Sequence, residues 1–191
     1  MSAERSEHRL EVEPYTQWEP GVASPGSACG PAAMAALIEY WHTRRGYGNI
    51  PGSDHFESKA AHINYIYSHH GGTPWGMSAR SFSKGLQAYI GAALPHAKNR
   101  DQRGLVSVFN DMQRYRAEID AGRPVAVKFD KWFSLRWRGR YAYDYHWVLG
   151  TGYDVTEAAT GPVLIVQDNS IRHIPYYPNR GILTMVALNI E

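Results

Sequence analysis

The sequence predicts an α+β fold, in which a helical first half packs on an antiparallel sheet formed by the second half. Two observations lead to this prediction. Apolar residues recur at helical spacing before residue 100, and segments rich in aromatic and β-branched residues follow it. The 191 residues are 43% hydrophobic and 20% charged, which is a globular composition. We interpret residues 1–191 as a single domain, with a helical lobe over about 1–100 and a sheet lobe over about 101–191.

The first half begins with an extended segment and continues with three predicted helices. Residues 1 to about 28 lack periodicity and contain three prolines, which interrupt regular structure. Apolar side chains then follow helical spacing over residues 31–41, and Ser27 is the expected cap of that helix. A second helix is predicted over about 56–70. Ser78 is the expected cap of the third.

The second half is predicted to consist mainly of strands. A short amphipathic helix is expected within residues 106–121, and Gly122 ends it. Alternating or continuous apolar patterns then predict four strands, within residues 125–129, 141–155, 161–170 and 181–190. The basic and aromatic residues of 129–145 fit a long hairpin beside the expected cleft, where they are candidates for substrate contact.

Composition argues against several classes of partner and cofactor. The net charge of +2 is too small for a dedicated nucleic-acid-binding protein. No apolar run is long enough to span a membrane, and the polar N-terminus lacks a secretory signal, so a cytoplasmic protein is expected. His62, His69 and His70 have no carboxylate or thiol nearby to complete a metal site. We therefore expect no metal, no cofactor, no nucleic acid and no membrane partner, and the oligomeric state stays open.

The single cysteine, Cys29, lies at the expected N-terminus of the first helix. A helix N-terminus stabilises negative charge through its free N–H groups, and the thiolate is the reactive form of cysteine. Gly30 leaves backbone room for a carbonyl group to approach the sulfur. This placement suits a nucleophile, although most lone cysteines are small buried hydrophobic residues.

A thiolate nucleophile needs a nearby base, and the base needs a group that orients it. His146 lies in a predicted strand, and Asp168 and Asn169 lie in the next one. Pairing of these strands brings either Asp168 or Asn169 beside the imidazole. Asp154 is a third candidate, but it falls at a turn and fits a structural role.

Further residues fit a site around Cys29. Gln17 precedes the cysteine by about a dozen residues, and its amide could stabilise an oxyanion together with the Cys29 N–H. Trp147 is expected to shield the imidazole from water or to fill the core. Gly30, Trp147 and Asn169 make up the predicted substrate-binding set.

The order of these motifs resembles the papain-like cysteine peptidases, and within them the branch related to the bacteriocin-leader (double-glycine) peptidases. The motifs are Gln17 and the segments CGPAAMAALIEYW, IDAGRPVAVKF, HWVLGTGYD and VQDNS. The resemblance implies that Cys29 is the nucleophile, His146 the base, Asp168 the orienting residue and Gln17 the oxyanion donor. It also implies a cleft between a helical and a sheet lobe. Papain itself has Trp after its cysteine and Asn as the third residue, where this chain has Gly30 and Asp168.

The resemblance leads to one expected function and two alternatives. The expected function is a cysteine peptidase that cleaves peptide or amide bonds of a peptide or protein substrate through an acyl-thioester on Cys29. An acyltransferase or transpeptidase would use the same residues with an amine as acceptor. A binding protein that keeps the fold without catalysis is the third reading, and a complete triad disfavours it.

Overall fold

The computed structural model describes residues 7–99, 102–130, 146–155, 161–176, 178 and 182–191. Its helices are α1 (Cys29–Thr43), α2 (Lys59–His69), α3 (Ala79–Ala93), α4 (Gln102–Leu105) and α5 (Met112–Asp120). Its strands are β1 (His8–Arg9), β2 (Val106–Phe109), β3 (Val125–Phe129), β4 (His146–Asp154), β5 (Val163–Gln167), β6 (Ile171–Pro175) and β7 (Leu183–Leu188). The predicted order of helices followed by strands is confirmed.

The strands form one antiparallel sheet of seven strands in the order β2-β7-β3-β4-β5-β6, with β1 paired to β4. Strand β4 is central to the site because three strands pair with it. Its first half pairs with β3, its second half with β1, and β5 lies along its other edge. This pairing places His146 at the start of β4, opposite Phe129.

Helix α1 is the buried centre of the molecule. Every residue from Cys29 to Trp41 is buried, and the helix packs on β4, β3 and α2. Four alanines, at positions 32, 33, 35 and 36, keep its N-terminal half thin. Because the side chains are small, the helix approaches the sheet closely and carries Cys29 to the boundary between the helices and the strands.

Two predicted helix caps have different outcomes. The Ser78 hydroxyl accepts a hydrogen bond from the Ser81 N–H at 3.1 Å, which confirms it as the cap of α3. The expected Ser27 cap is wrong. Helix α1 begins two residues earlier than predicted, and its N-cap position is Ala28, whose methyl side chain cannot accept a hydrogen bond. Ser27 instead lies in a 3-10 turn, and its hydroxyl contacts the Tyr67 hydroxyl at 2.9 Å.

Three strands are additional to the prediction. Residues 106–109, which the sequence pattern joined to α5, form strand β2 because they pair with β7. Strand β6 pairs with β5 across a short turn, although three of its residues are exposed. Strand β1 lies in the segment expected to be merely extended. The hairpin prediction for 129–145 falls mostly on residues 131–145, which lie outside the described part of the chain.

Candidate active site

Cys29 is the first residue of α1 and is 6% exposed. The first N–H groups of a helix have no partner within the helix, and the N-cap residue here, Ala28, has no polar side chain to supply one. Pro31, which has no N–H, lies within this first turn, where it breaks no helical hydrogen bond. The sulfur therefore lies at the positive end of a buried helix, beside backbone N–H groups that can donate to an anion.

His146 provides an imidazole between Cys29 and a carboxylate. Its Nε2 lies 3.5 Å from Oδ2 of Asp168, and both side chains are less than one-fifth exposed. Burial alone would lower the pKa of His146. Hydrogen bonding to Asp168 and to Cys29, together with the charges of both groups, outweighs burial and raises that pKa. The imidazolium form is thus favoured beside the sulfur.

Asp168 follows β5 and is held in place by the β5–β6 turn. Its Oδ1 accepts a hydrogen bond from the Ser170 N–H at 3.0 Å, which leaves Oδ2 facing the imidazole. Burial raises the pKa of Asp168, but the His146 contact, the Ser170 hydrogen bond and the charge of Arg172 together lower it. Asn169 is exposed and lines the same cavity. Of the two residues that the sequence left open, Asp168 is the one that contacts the imidazole.

Gln17 also lines the cavity beside Cys29. Its Nε2 donates a hydrogen bond to the Pro25 carbonyl at 2.8 Å. An amide nitrogen carries two hydrogens, so one remains to donate elsewhere while the other fixes the side chain. Gln17 is also held in a turn, in which the Glu19 N–H donates to the Thr16 carbonyl at 3.2 Å.

These four side chains surround one cavity of about 320 Å³. Residues 15–18, helix α1, the start of β4 and the β5–β6 turn form its walls. A cavity of this volume can hold a short stretch of peptide. Both the helical and the sheet part of the chain contribute to it, as the predicted cleft requires.

A model of the Peptidase_C39 like family matches residues 9–176, which is most of the chain. The chain belongs to the Peptidase_C39 like family. Together with the α+β architecture, this match confirms the papain-like fold and the predicted relation to the bacteriocin-leader peptidases. It also indicates a function of the cysteine-peptidase type. No curated protein matches the chain.

In this member of the Peptidase_C39 like family, Gly30 packs closely against Met77 and Trp147. A Cβ on Gly30 would lie 2.8 Å from the Met77 sulfur and 3.3 Å from the Trp147 ring. Protein therefore fills the side of Gly30 on which a side chain would begin. The absence of a Cβ allows α1 to pack tightly on Met77 and β4.

Trp147 is likewise held in the core, although it borders the cavity. It is 1% exposed, its Nε1 donates to the Met77 carbonyl at 2.7 Å, and its ring stacks on Phe82 at a centroid distance of 4.2 Å. A ring so enclosed has little surface left for a substrate. Its packing fixes β4, and with it the neighbouring His146.

Several cavity residues are additional to the prediction. Tyr15 and Trp18 flank Gln17 in the sequence, and Gln167 directly precedes Asp168. Their position beside Gln17 and Asp168 is the sequence signal that could have identified these three residues. Arg172 lies on β6, a strand that the sequence pattern did not indicate.

The histidines of α2 have structural contacts. His62 is fully buried, its Nε2 lies 3.1 Å from the Tyr89 hydroxyl, and its ring stacks on Phe56. Among the residues that the structure describes, no group of three or more His, Cys, Asp or Glu side chains could hold a metal ion. None of the described helices is both long and apolar enough to cross a membrane.

Proposed function

We propose that the chain is a cysteine peptidase that cleaves a peptide or amide bond through an acyl-thioester on Cys29. The observation that supports this most is the position of the sulfur. It lies at the N-terminus of α1, beside the His146–Asp168 pair and in a cavity open to a peptide. Nucleophile, base and orienting residue are thus available in one place.

In the first half of the reaction, the Cys29 thiolate attacks the carbonyl carbon of the scissile bond. The carbonyl oxygen becomes an oxyanion, which accepts hydrogen bonds from the Cys29 N–H and from the free hydrogen on Gln17 Nε2. His146 gives its proton to the leaving amine as the C–N bond breaks. The products of this half are the free amine and the acyl group bonded to sulfur.

In the second half, water replaces the amine. Neutral His146 removes a proton from the water, and the resulting hydroxide attacks the thioester carbon. The C–S bond then breaks, a carboxylic acid leaves, and the thiolate–imidazolium pair is restored. Oδ2 of Asp168 lies 3.5 Å from Nε2, so Nδ1 is the ring nitrogen left to serve the sulfur and the water.

The pKa shifts of His146 and Asp168 favour this thiolate–imidazolium resting state. Asp168 is held ionised, and its charge and that of the thiolate favour the imidazolium form of His146. In such an ion pair the sulfur is a thiolate, which is the nucleophilic form of cysteine, and no external base is needed.

A peptide library with mixed sequences tests the proposal. Incubation with the wild-type chain should generate new N- and C-termini that mass spectrometry detects, and Cys29→Ala should generate none. Adding hydroxylamine should divert part of the acyl group to a hydroxamate if a thioester forms. Cleavage that persists in Cys29→Ala, or no cleavage by a folded wild-type chain, would contradict the proposal.

A further inference from the structure

Lys59 lies outside the cavity, yet it holds the segment that carries Gln17. Its ammonium group donates to Oε1 of Glu13 at 2.6 Å and to the Pro14 carbonyl at 2.9 Å. The same group lies 5.2 Å from the centre of the Tyr15 ring. One side chain thus contacts three consecutive residues that end two positions before Gln17.

This segment, residues 8–18, is here called the N-terminal strap. On the sheet side, β1 pairs with β4, and Gln167 Nε2 donates to the Val12 carbonyl at 3.2 Å. On the helical side, Lys59 holds residues 13–15. The strap therefore runs from one lobe to the other, and its end forms a wall of the cavity.

The location of Lys59 is unfavourable for its own helix. It is the first residue of α2, where the positive end of the helix dipole repels a cation. An acidic or neutral residue would suit this position better, and Ser58 already caps the helix by accepting from the Ala61 N–H at 3.1 Å. The contacts to the strap therefore explain why a lysine lies here, whereas the stability of α2 does not explain it.

We propose that Lys59 is a positioning residue for the oxyanion site; this inference rests on the proposed function. The two oxyanion donors are Gln17, on the strap, and the N–H of Cys29, on α1. Helix α2 packs on α1, so an anchor on α2 fixes the strap relative to the sulfur. Loss of the anchor lets Gln17 move away from the developing oxyanion while the Cys29–His146–Asp168 arrangement stays in place.

Two reactions of the same cysteine separate this role from a general structural one. Hydrolysis of a peptide ester passes through an oxyanion and depends on Gln17. Alkylation by iodoacetamide occurs at a saturated carbon, needs no oxyanion donor, and reports only the thiolate–imidazolium pair. Because the chain has a single cysteine, the alkylation is unambiguous.

For Lys59→Met, we expect kcat for the ester to fall about tenfold, the worth of one charge-assisted hydrogen bond, while KM and the alkylation rate stay as in the wild type. Lys59→Arg should restore most of the activity. In a Gln17→Ala background, Lys59→Met should cause no further loss, because both changes remove the same interaction. Lys84→Met, an exposed lysine on α3, is the matched control.

Hydrogen exchange gives a readout that does not depend on activity. Amides of residues 13 and 15–18 should exchange at least about fivefold faster in Lys59→Met, whereas those of α1 should not change. Unchanged exchange, an unchanged kcat, a parallel loss of alkylation, or additive losses with Gln17→Ala would each overturn the inference. An inactive wild-type chain would overturn the proposed function instead, and the exchange result would still decide whether Lys59 anchors the strap.

Discussion

Replacing Asp168 by Asn tests the charge behind the imidazole with little change in shape. The amide oxygen can still accept from Nε2, so the ring keeps an orienting partner, but the negative charge 3.5 Å from Nε2 is lost. Both side chains are more than four-fifths buried, so solvent screens the pair only partly. A hydrogen bond to a charged group contributes about 1.5–3 kcal/mol and one to a neutral group about 1 kcal/mol, so loss of the charge alone costs about 0.5–2 kcal/mol, and we expect kcat/KM to fall roughly two- to thirtyfold.

The direction of the effect can be tested through the pH dependence of Cys29 alkylation. The carboxylate favours the imidazolium form and so raises the pKa of His146. Without it, the imidazolium loses its proton at lower pH. The alkaline limb of the pH–rate profile for iodoacetamide alkylation of Cys29 should therefore move to lower pH in Asp168→Asn. Intact-protein mass spectrometry measures the rate at each pH.

Asn169→Ala is the matched control, because Asn169 is exposed in the same turn and the contact to the imidazole comes from its neighbour. It should leave the alkaline limb where the wild type has it. If Asp168→Asn also left that limb in place and kept full kcat/KM, the carboxylate would have no influence on the imidazole. The reasoning from the 3.5 Å contact would then be refuted.

Three further predictions concern Gln17, Gly30 and His62. Gln17→Ala should lower kcat by about 10²–10³, the typical loss for one oxyanion donor, without slowing alkylation; a parallel loss of both would refute that role. Gly30→Ala should reduce the urea-unfolding free energy by about 1–3 kcal/mol, because its Cβ would lie 2.9 Å from Met77 Cβ; unchanged stability would contradict this packing. Burial lowers the pKa of His62 to about 4. The neutral ring therefore makes its full contribution to folding stability above about pH 6.5, and the free energy of unfolding should fall by at most about 3 kcal/mol as the pH decreases to 4. His62→Gln should flatten that slope, and a slope that persists would assign it to other groups.

Much of the candidate site was predictable because its residues are marked locally. Cys29 precedes a clear helical pattern, and His146 and Asp168 lie at the ends of strands with strong β patterns. Pairing of adjacent strands then brings the last two together by chain connectivity alone. The choice between Asp168 and Asn169 was not predictable, since it depends on how the β5–β6 turn points each side chain.

The remaining features depend on contacts between distant residues. Strand β2 pairs with β7, about 80 positions later, and the sequence pattern joined its four residues to α5 although Val and Phe are common in strands. The space next to Gly30 is taken by Met77, which no local pattern relates to it. Lys59 reaches the strap across 45 positions of sequence. Such contacts become visible only when the folded chain is available.

The account depends on an acyl group forming on Cys29, and trapping that intermediate tests it most directly. A peptide ester is mixed with the wild-type chain, the reaction is quenched with acid within milliseconds to seconds, and the intact protein is weighed. We predict a mass increase equal to the acyl group, located on Cys29 by fragmentation, that decays as product appears and is absent in Cys29→Ala. A folded wild-type chain that releases product without ever carrying the acyl group, or that carries it on another residue, would contradict the account.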